Sequence, residues 1–287
     1  MNPLEYLIEQ QQLVKDINLI LKKFRINETI FLQDLTITAN GVSDAIKPIP
    51  KLSDAVINFL WPSITTETVY HYTTKAKAEK ILNSGIFRLT NIGIRYNEGE
   101  ITTFYNTHNL TGYMGVDKYG IPNDKELVDN TFYASFTSSK LTAAQEEVFW
   151  RRFASYEGVR LKIEVKAINQ NFRKIYYEQT KGKQIRLLNE LGNLVVNKYK
   201  RKFTLKHIST LCSFYLSGAD YGIENEYRLL HRVWDKSGLQ PKTDEKYSYL
   251  ELPLNLMTEC GYELKVVEVH ARENLNIPSS YALSKRV

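Results

Sequence analysis

A strict two-residue alternation in "VRLKIEVK", residues 159 to 166, constrains the fold more than any other stretch. Its apolar side chains alternate with charged ones, which predicts a β-strand with one buried and one wet face. Three later segments, "NEYRLLHRVW", "SYLELPL" and "YELKVVEVH", predict further strands. Because helical patterns separate the strands at irregular intervals, we expect an α+β fold and not a doubly wound parallel sheet.

Local end signals define the elements upstream. Residues 69 to 90, "VYHYTTKAKAEKILNSGIFRLT", predict a strand, a short helix that begins after Thr74 and ends at Gly85, and a second strand. A strand at "FYASF", residues 132 to 136, precedes a helix that should begin with a capping box between Thr142 and Gln145.

The first 65 residues differ from the rest and form an N-terminal helical, accessory segment in our interpretation. Apolar residues recur at intervals of three and four between residues 3 and 24, on a face formed by Leu7, Val14 and Leu21 among others. This pattern predicts an amphipathic helix that packs on the protein's own body, in a dimer or on a partner. We place the principal α+β domain at residues 66 to 287, in which residues 182 to 208 suit a helix or a helix pair.

Composition excludes several classes of protein. A hydrophobic fraction of 43% with 24% charged residues is typical of a soluble globular protein. No apolar run approaches the ~20 residues of a membrane span, and the first residues lack a secretory pattern, so we expect a cytoplasmic protein with no membrane association. The isolated Cys212 and Cys260 have no metal-ligand spacing, so no metal is expected.

Basic residues are concentrated in "NKYKRKFTLKH", residues 197 to 207, and the whole chain has a net charge of +6. Such a run either contacts phosphates, as in a nucleic-acid-binding module, or forms a solvated helix face. The sequence leaves both interpretations open.

Two polar constellations occur early in the predicted domain. His71, Tyr72 and Thr73 lie between a strand and a helix N-terminus, where they either bind a ligand hydroxyl or phosphate or satisfy structural hydrogen bonds. If the strand is extended, His71 faces away from Tyr72. "RYNEGE", residues 95 to 100, is rich in groups that bind sugars and phosphates, but a turn organised by Asn97 explains part of it.

Two more constellations lie on later strands. "SFTSS", residues 135 to 139, groups hydroxyls at a strand end without the G-x-S-x-G context of a hydrolase nucleophile. In "GIENEYRLL", residues 222 to 230, a continuous strand would place Glu224, Glu226 and Arg228 on one face. That face must lie in solvent or in a polar cleft, because such side chains are rarely buried without partners.

The order of these pieces resembles a widespread bacterial family of uncharacterised domains. The shared pattern is HYT, a helix that ends in SG, an N-[DE]-x-x-E-like loop, an SFT strand, a tryptophan-bearing helix and an E-x-E-Y-R strand. The resemblance covers about residues 69 to 235. In this chain the loop reads NEGE, with Glu98 where Asp is usual and one residue fewer before Glu100.

That family is in turn similar to the ADP-ribosyltransferase superfamily, which implies a split antiparallel or mixed β core around an NAD cleft. The resemblance implies that His71 takes the first motif position, with Tyr72 and Thr73 beside it, and that Glu226 takes the last, with Glu224 before it. The middle position is either Tyr96, next to Asn97, or one of the strand hydroxyls Ser135 and Thr137. Arg228 would orient Glu226 or meet the pyrophosphate.

This resemblance implies an enzyme that uses NAD as its substrate. Cleavage of the nicotinamide–ribose bond develops positive charge on the ribose, which a fixed carboxylate would stabilise. The acceptor would be a protein or a nucleic acid, as for a bacterial toxin or an anti-phage defence effector. The alternatives are an NAD glycohydrolase, with water as acceptor, and a non-catalytic nucleic-acid-binding or protein-binding module on the same fold.

Overall fold

The structure is a computed structural model of the chain. It describes residues 2–46, 49–94, 101–108, 110, 125, 128–169, 171–178, 180–206, 212–217, 221–233, 238–271, 275–276, 278–281 and 283–285. The chain forms two compact units that each draw on separate stretches of sequence. Unit 1 comprises Met1–Pro62, Glu98–Leu127 and Glu178–Ala219, and unit 2 comprises Ser63–Asn97, Val128–Tyr177 and Asp220–Val287.

This division differs from a single boundary near residue 66. The chain does pass from unit 1 to unit 2 between residues 62 and 63, but it returns to unit 1 twice. The second return contributes a strand, Lys202–Thr204, that pairs in parallel with Gly41–Asp44. Strand pairing between segments so far apart leaves no local sequence signal, so a boundary based on pattern changes misses it.

Unit 1 combines helices with a three-stranded sheet, in which Gly41–Asp44 lies between Leu35–Ile37 and Lys202–Thr204. Its helices are α1 (Pro3–Lys23), α2 (Lys51–Leu60), α4 (Thr102–His108) and α6 (Arg186–Gly192), and α6 continues as a π-helix (Asn193–Lys198). Its strands are β1 (Leu35–Ile37), β2 (Gly41–Asp44), β9 (Lys202–Thr204) and β10 (Tyr215–Ser217), and a 3₁₀ turn spans Leu32–Asp34.

The N-terminal helix is confirmed, but its buried face matches only part of the predicted stripe. Leu13, Ile17 and Leu21 are completely buried, whereas Leu4 and Leu7 are 63% and 42% exposed. Residues four apart stay on one side of a helix, and at about 100° per residue Leu4 lies on the side opposite to Ile17. The predicted stripe mixed these two sides.

Unit 2 is built around an antiparallel sheet with helices α3 (Lys75–Ser84) and α5 (Ala143–Ala154). Its strands are β3 (Thr66–Thr73), β4 (Ile86–Asn91), β5 (Thr131–Ser138), β6 (Val159–Ala167), β7 (Phe172–Lys174), β11 (Glu226–Arg232), β12 (Lys242–Thr243), β13 (Ser248–Pro253), β14 (Tyr262–Ala271) and β15 (Leu283–Lys285). The chain passes from unit 2 to unit 1 within β8 (Tyr176–Glu178). The strand order is β12-β13-β4-β5-β3-β6-β14-β15, with β11 on β5 and β7 on β11. The predicted α+β class is confirmed.

Several local signals in unit 2 are confirmed. Thr74 occupies the N-cap of α3, and Gly85 ends that helix with φ of 65°. Thr142 and Gln145 form the predicted capping box of α5. The apolar face of β6 is buried in a core that also contains Val69, Phe136 and Leu229. These contacts fix β3, β5 and β11 relative to each other.

The predicted helical interpretation of residues 182 to 208 is only partly correct. Residues 186 to 198 are helical, but residues 202 to 204 form β9. In that strand Phe203 is buried between the exposed Lys202 and the partly buried Thr204. The pairing with β2 satisfies the backbone of this segment and overrides its weak helical pattern.

Candidate functional site

The sheet of unit 2 splits at β5. Along one edge, β5 pairs with β11 over its whole length, from Glu226 opposite Thr137 to Arg232 opposite Thr131. On the other edge, β4 pairs only with Phe132 and Tyr133, and β3 pairs only with the last two residues of β5. Among the described residues, positions 134 to 136 therefore have no strand partner on that edge. β3 and β4 diverge here and leave a gap.

A pocket of about 550 Å³ lies at this gap, and we call it the gap pocket. Its volume falls in the range of small-molecule sites. β3, β4 and β5 meet in its lining, together with α3 and the segment around β13. The lining includes His71, Tyr72 and Thr73 of β3, Tyr133 and Ser135 of β5, and Arg88 of β4.

His71 is held in the gap by two kinds of contact. Its ring centroid lies 5.0 Å from that of Phe87 and 6.1 Å from that of Phe136. Its Nδ1 atom lies 3.3 Å from the carbonyl oxygen of Ser135. Burial lowers the pKa of His71 to about 4. The ring is therefore neutral near pH 7, and because a carbonyl only accepts, Nδ1 carries the proton and Nε2 remains an acceptor.

Tyr72 faces away from His71, as the strand periodicity predicts. Its ring packs against Phe149 and Trp150 of α5, at centroid distances of 5.4 and 5.2 Å. Burial raises the pKa of Tyr72 to about 12, although Arg160 opposes the shift. Tyr72 is therefore a neutral group that anchors β3 to α5 and contributes to the wall of the gap pocket.

Cationic side chains also line the gap pocket. Lys77 and Lys80 come from α3, and Arg88 comes from β4. The Arg88 guanidinium carbon lies 3.7 Å from the ring centroid of Tyr249, and Nη1 lies 3.3 Å from Asp244 Oδ2. Arg88 is thus fixed in place. The sequence interpretation missed these three residues, although Lys77 and Lys80 share one helix face directly after the HYTT segment.

Glu226 and Arg228 form a buried ion pair on β11. Arg228 Nε donates to Glu226 Oε1 at 2.8 Å, and Nη2 donates to Oε2 at 3.1 Å. The two side chains are 4% and 1% exposed. The Arg228 guanidinium also lies 4.5 Å from the ring centroid of Tyr133. A bidentate pair of this kind fixes the carboxylate orientation and balances its charge.

Ser135 lies between His71 and the Glu226–Arg228 pair. Its carbonyl contacts His71, and the residue is the cross-strand neighbour of Arg228. Glu226 and Arg228 do not line the gap pocket, whereas Ser135 does. The registers Tyr70–Thr137 and Thr137–Glu226 place Glu226 on the face of Tyr70, opposite to the face on which His71 meets its aromatic neighbours.

Glu224 is separated from Glu226 by a change in backbone conformation. It ends a 3₁₀ turn, Gly222–Glu224, and the next residue, Asn225, is left-handed with φ of 44°. The prediction that Glu224 shares a strand face with Glu226 is therefore wrong, since β11 begins only at Glu226. Glu224 Oε1 lies 4.0 Å from Arg152, and its carbonyl accepts a hydrogen bond from Thr137 Oγ1 at 2.7 Å.

One predicted ligand-binding segment lies outside the part of the chain that the structure describes. Tyr96 and Asn97, together with the rest of RYNEGE, lie outside the described residues.

Among the described residues, His, Cys, Asp and Glu side chains do not group into a set of three suited to a metal ion. Within the same part of the chain, none of the helices has the length and apolar character needed to span a bilayer.

Comparisons of this chain with protein-family models, curated proteins and solved structures gave no match. The α+β class therefore rests on the strands and helices described above. The motif resemblance to the ADP-ribosyltransferase superfamily stays a prediction, as does every residue role that it implies.

Proposed function

We propose that unit 2 is an ADP-ribosyltransferase-like enzyme that binds NAD in the gap pocket. It cleaves the bond between nicotinamide and ribose and transfers ADP-ribose to a protein or a nucleic acid. The observation that carries the proposal is His71, a neutral imidazole at the point where β3 and β4 part along β5, whose Nε2 acceptor has no hydrogen-bond partner among the described residues.

The polar groups of the gap pocket suit a dinucleotide. His71 Nε2 accepts a hydrogen bond from a ribose hydroxyl, and the Ser135 side chain offers a second hydroxyl contact. Lys77 and Lys80 provide positive charge for the diphosphate, whereas Arg88 is already paired with Asp244 of the same lining. The aromatic wall that includes Tyr133 packs against a planar ring of the ligand.

Glu226 supplies the negative charge in this proposal to a ligand that reaches around β5 at Ser135, because Glu226 itself does not line the gap pocket. As the bond from ribose C1′ to the pyridinium nitrogen breaks, its electron pair leaves with neutral nicotinamide and the ribose becomes cationic. A fixed carboxylate lowers the energy of that cation. Arg228 is a positioning residue that holds the carboxylate in one orientation. The acceptor nucleophile then bonds to C1′ and releases its proton to solvent.

The biological setting follows from the same resemblance. We propose a cytoplasmic toxin or anti-phage effector whose substrate is cellular NAD. Residues 4 to 24 serve for dimer or partner contact in this proposal, and the exposed apolar side chains available for it are Leu4, Leu7, Ile8 and Leu19.

The test is release of nicotinamide from labelled NAD by the full chain, alone and with whole-cell lysate. Label lost on protease treatment indicates a protein acceptor, label lost on nuclease treatment indicates a nucleic acid, and free ADP-ribose indicates a glycohydrolase. Glu226→Gln should lower turnover by about 100-fold or more with a smaller effect on NAD binding. His71→Ala should chiefly raise KM.

Glu164→Gln is a matched control, because Glu164 is a partly buried strand glutamate on β6 and does not line the gap pocket. This variant should retain full turnover. Near-normal turnover by a folded Glu226→Gln protein would refute the catalytic assignment.

A second candidate is a non-catalytic module that binds NAD without cleaving it. The observation that favours it is the Glu226–Arg228 pair, which already balances the carboxylate charge in a site where both side chains are nearly inaccessible. In that case calorimetry detects NAD binding that depends on His71, while nicotinamide release stays at the level of buffer.

A further inference from the structure

Unit 1 contains a second pocket, also of about 550 Å³, which we call the unit 1 pocket. Helix α6, the π-helix and β9 supply most of its described lining. The polar members of that lining include Asn189, Asn193, Asn197, Lys200, Arg201 and Lys202. None of these residues has a role in the function proposed for unit 2.

The backbone around this pocket has two unfavourable local conformations. Residues 193 to 198 form a π-helix, and Tyr199 N–H donates to the Leu194 carbonyl five residues earlier at 3.2 Å. Lys200 then adopts a left-handed conformation with φ of 56°. π-Helical turns are rare and frequently occur at functional sites, and a left-handed lysine is also uncommon. Together they place three consecutive basic residues, 200 to 202, in the lining of one pocket.

Arg201 is buried with only part of its guanidinium engaged. The residue is 5% exposed, and Nη2 donates to Glu9 Oε2 at 2.5 Å. The other terminal nitrogen, Nη1, has no hydrogen-bond partner among the residues that the structure describes. Buried guanidinium groups normally satisfy both arms of the fork, often with two oxygens of a carboxylate or phosphate. An additional acceptor at this position would complete the fork.

The remaining polar lining adds neutral groups and no negative charge. Asn193 Nδ2 donates to Asn189 Oδ1 at 2.9 Å, and Asn197 Nδ2 donates to Asn193 Oδ1 at 2.8 Å, so three amides are ordered in a row. His108 is neutral, because burial lowers its pKa and Ile185 N–H donates to its Nε2. None of the described lining residues is acidic. The pocket therefore favours an anion that also carries neutral hydrogen-bonding groups.

We propose that the unit 1 pocket binds a phosphate-bearing small molecule of about nucleotide size. Lys200, Arg201 and Lys202 meet the phosphate, and the asparagine row contacts the neutral part of the ligand. The pocket volume exceeds the needs of inorganic phosphate and matches those of small-molecule sites.

The experiment is calorimetric titration of the full chain with AMP and ribose 5-phosphate, and with adenosine, ribose and inorganic phosphate as comparisons. Both phosphorylated organic probes should bind more tightly than the other three. The double variant Lys200→Glu, Lys202→Glu should weaken one binding site by about ten-fold or more. A control with the same change in charge, Lys15→Glu with Lys22→Glu on exposed positions of α1, should bind as the wild type does.

A second pair of variants guards against misfolding. Glycine tolerates the left-handed conformation at position 200, so Lys200→Gly with Lys202→Gln removes both charges without backbone strain. It should show the same loss. Equal binding of adenosine and AMP, unchanged binding by both lysine pairs, or loss of binding in His71→Ala alone would each overturn the proposal, the last because it would assign the ligand to the gap pocket.

Discussion

The buried Glu226–Arg228 pair gives the sharpest energetic prediction in this protein. Glu226→Ala removes the carboxylate and leaves the Arg228 guanidinium, whose side chain is 1% exposed, without its bidentate partner. A guanidinium that has lost this bidentate contact in such a place cannot regain hydration without local opening. The variant should therefore lose a large share of its free energy of unfolding.

The structure sets the size of this loss. Removal of one partner from a buried ion pair costs about 3–5 kcal/mol. Arg228 retains the Tyr133 ring, 4.5 Å from its guanidinium carbon, and a desolvated contact of that kind is worth about 2 kcal/mol. Because the wild type has this contact as well, it does not reduce the difference between the two proteins, and we expect a loss of about 3–5 kcal/mol. Glu226→Gln keeps one acceptor for Arg228 and should cost about 1.5–3 kcal/mol.

The assay is urea unfolding followed by tryptophan fluorescence, completed by the double variant Glu226→Met, Arg228→Met. Because a buried pair replaced by apolar side chains is often neutral or stabilising, the double variant should be more stable than Glu226→Ala. Glu268→Ala is the control, since Glu268 lies 3.6 Å from Lys162 in a strand pair that is 33% and 37% exposed. That change should cost less than about 1 kcal/mol.

A loss below about 1 kcal/mol for Glu226→Ala would refute this reasoning, because it would mean that Arg228 remains hydrated. The outcome also governs the enzymatic test. Turnover of Glu226→Gln must be measured at a temperature at which the variant is fully folded, so that lost activity reports on chemistry and not on unfolding.

Two further predictions concern the pH dependence of His71 and the packing around Gly158 and Gly192. His71 has a pKa of about 4 in the folded state against 6.5 when exposed, so its contribution to stability is full above pH 6.5 and is lost as the pH falls towards 4. His71→Gln should reduce the change in the free energy of unfolding over this interval by up to about 3 kcal/mol, measured by urea unfolding at each pH. An unchanged pH dependence would contradict the burial of His71. Gly158→Ala should destabilise by about 1–3 kcal/mol in urea unfolding, because the new Cβ would lie 2.3 Å from the Thr73 carbonyl oxygen. Gly192→Ala should instead stabilise by about 0.5–1 kcal/mol, because this helical site has no atom of the described residues within 4 Å of the new Cβ. The same sign for both glycines would contradict the described packing.

Short-range signals in the sequence predicted the elements of unit 2 well. The end of α3 at Gly85, the capping box of Thr142 and Gln145, and the two-residue period of β6 each depend on a few neighbouring residues. Such features are encoded where they occur and need no knowledge of the tertiary structure.

Features that depend on distant pairing were not predictable in the same way. β9 joins β2 across about 160 residues of sequence, and the buried side of α1 is set by what packs against it. Residues 197 to 206 of the basic run are described: only the first two are helical, and residues 202 to 204 belong to β9. Lys198 and Arg201 are paired with Asp16 and Glu9 of α1, which no local pattern indicates.

The candidate site depends both on short-range sequence signals and on pairing between distant strands. Strand periodicity alone assigns His71 and Tyr72 to opposite faces, and Glu226 and Arg228 to one face. It cannot show whether the His71 face of β3 and the Glu226 face of β11 lie on the same side of the sheet, because that depends on the register of each strand with β5. The observed registers put Tyr70, Thr137 and Glu226 on the same face, and they leave the Ser135 carbonyl to His71. A ligand held by both His71 and Glu226 must therefore reach around β5 at Ser135, where the gap between β3 and β4 leaves that edge unpaired.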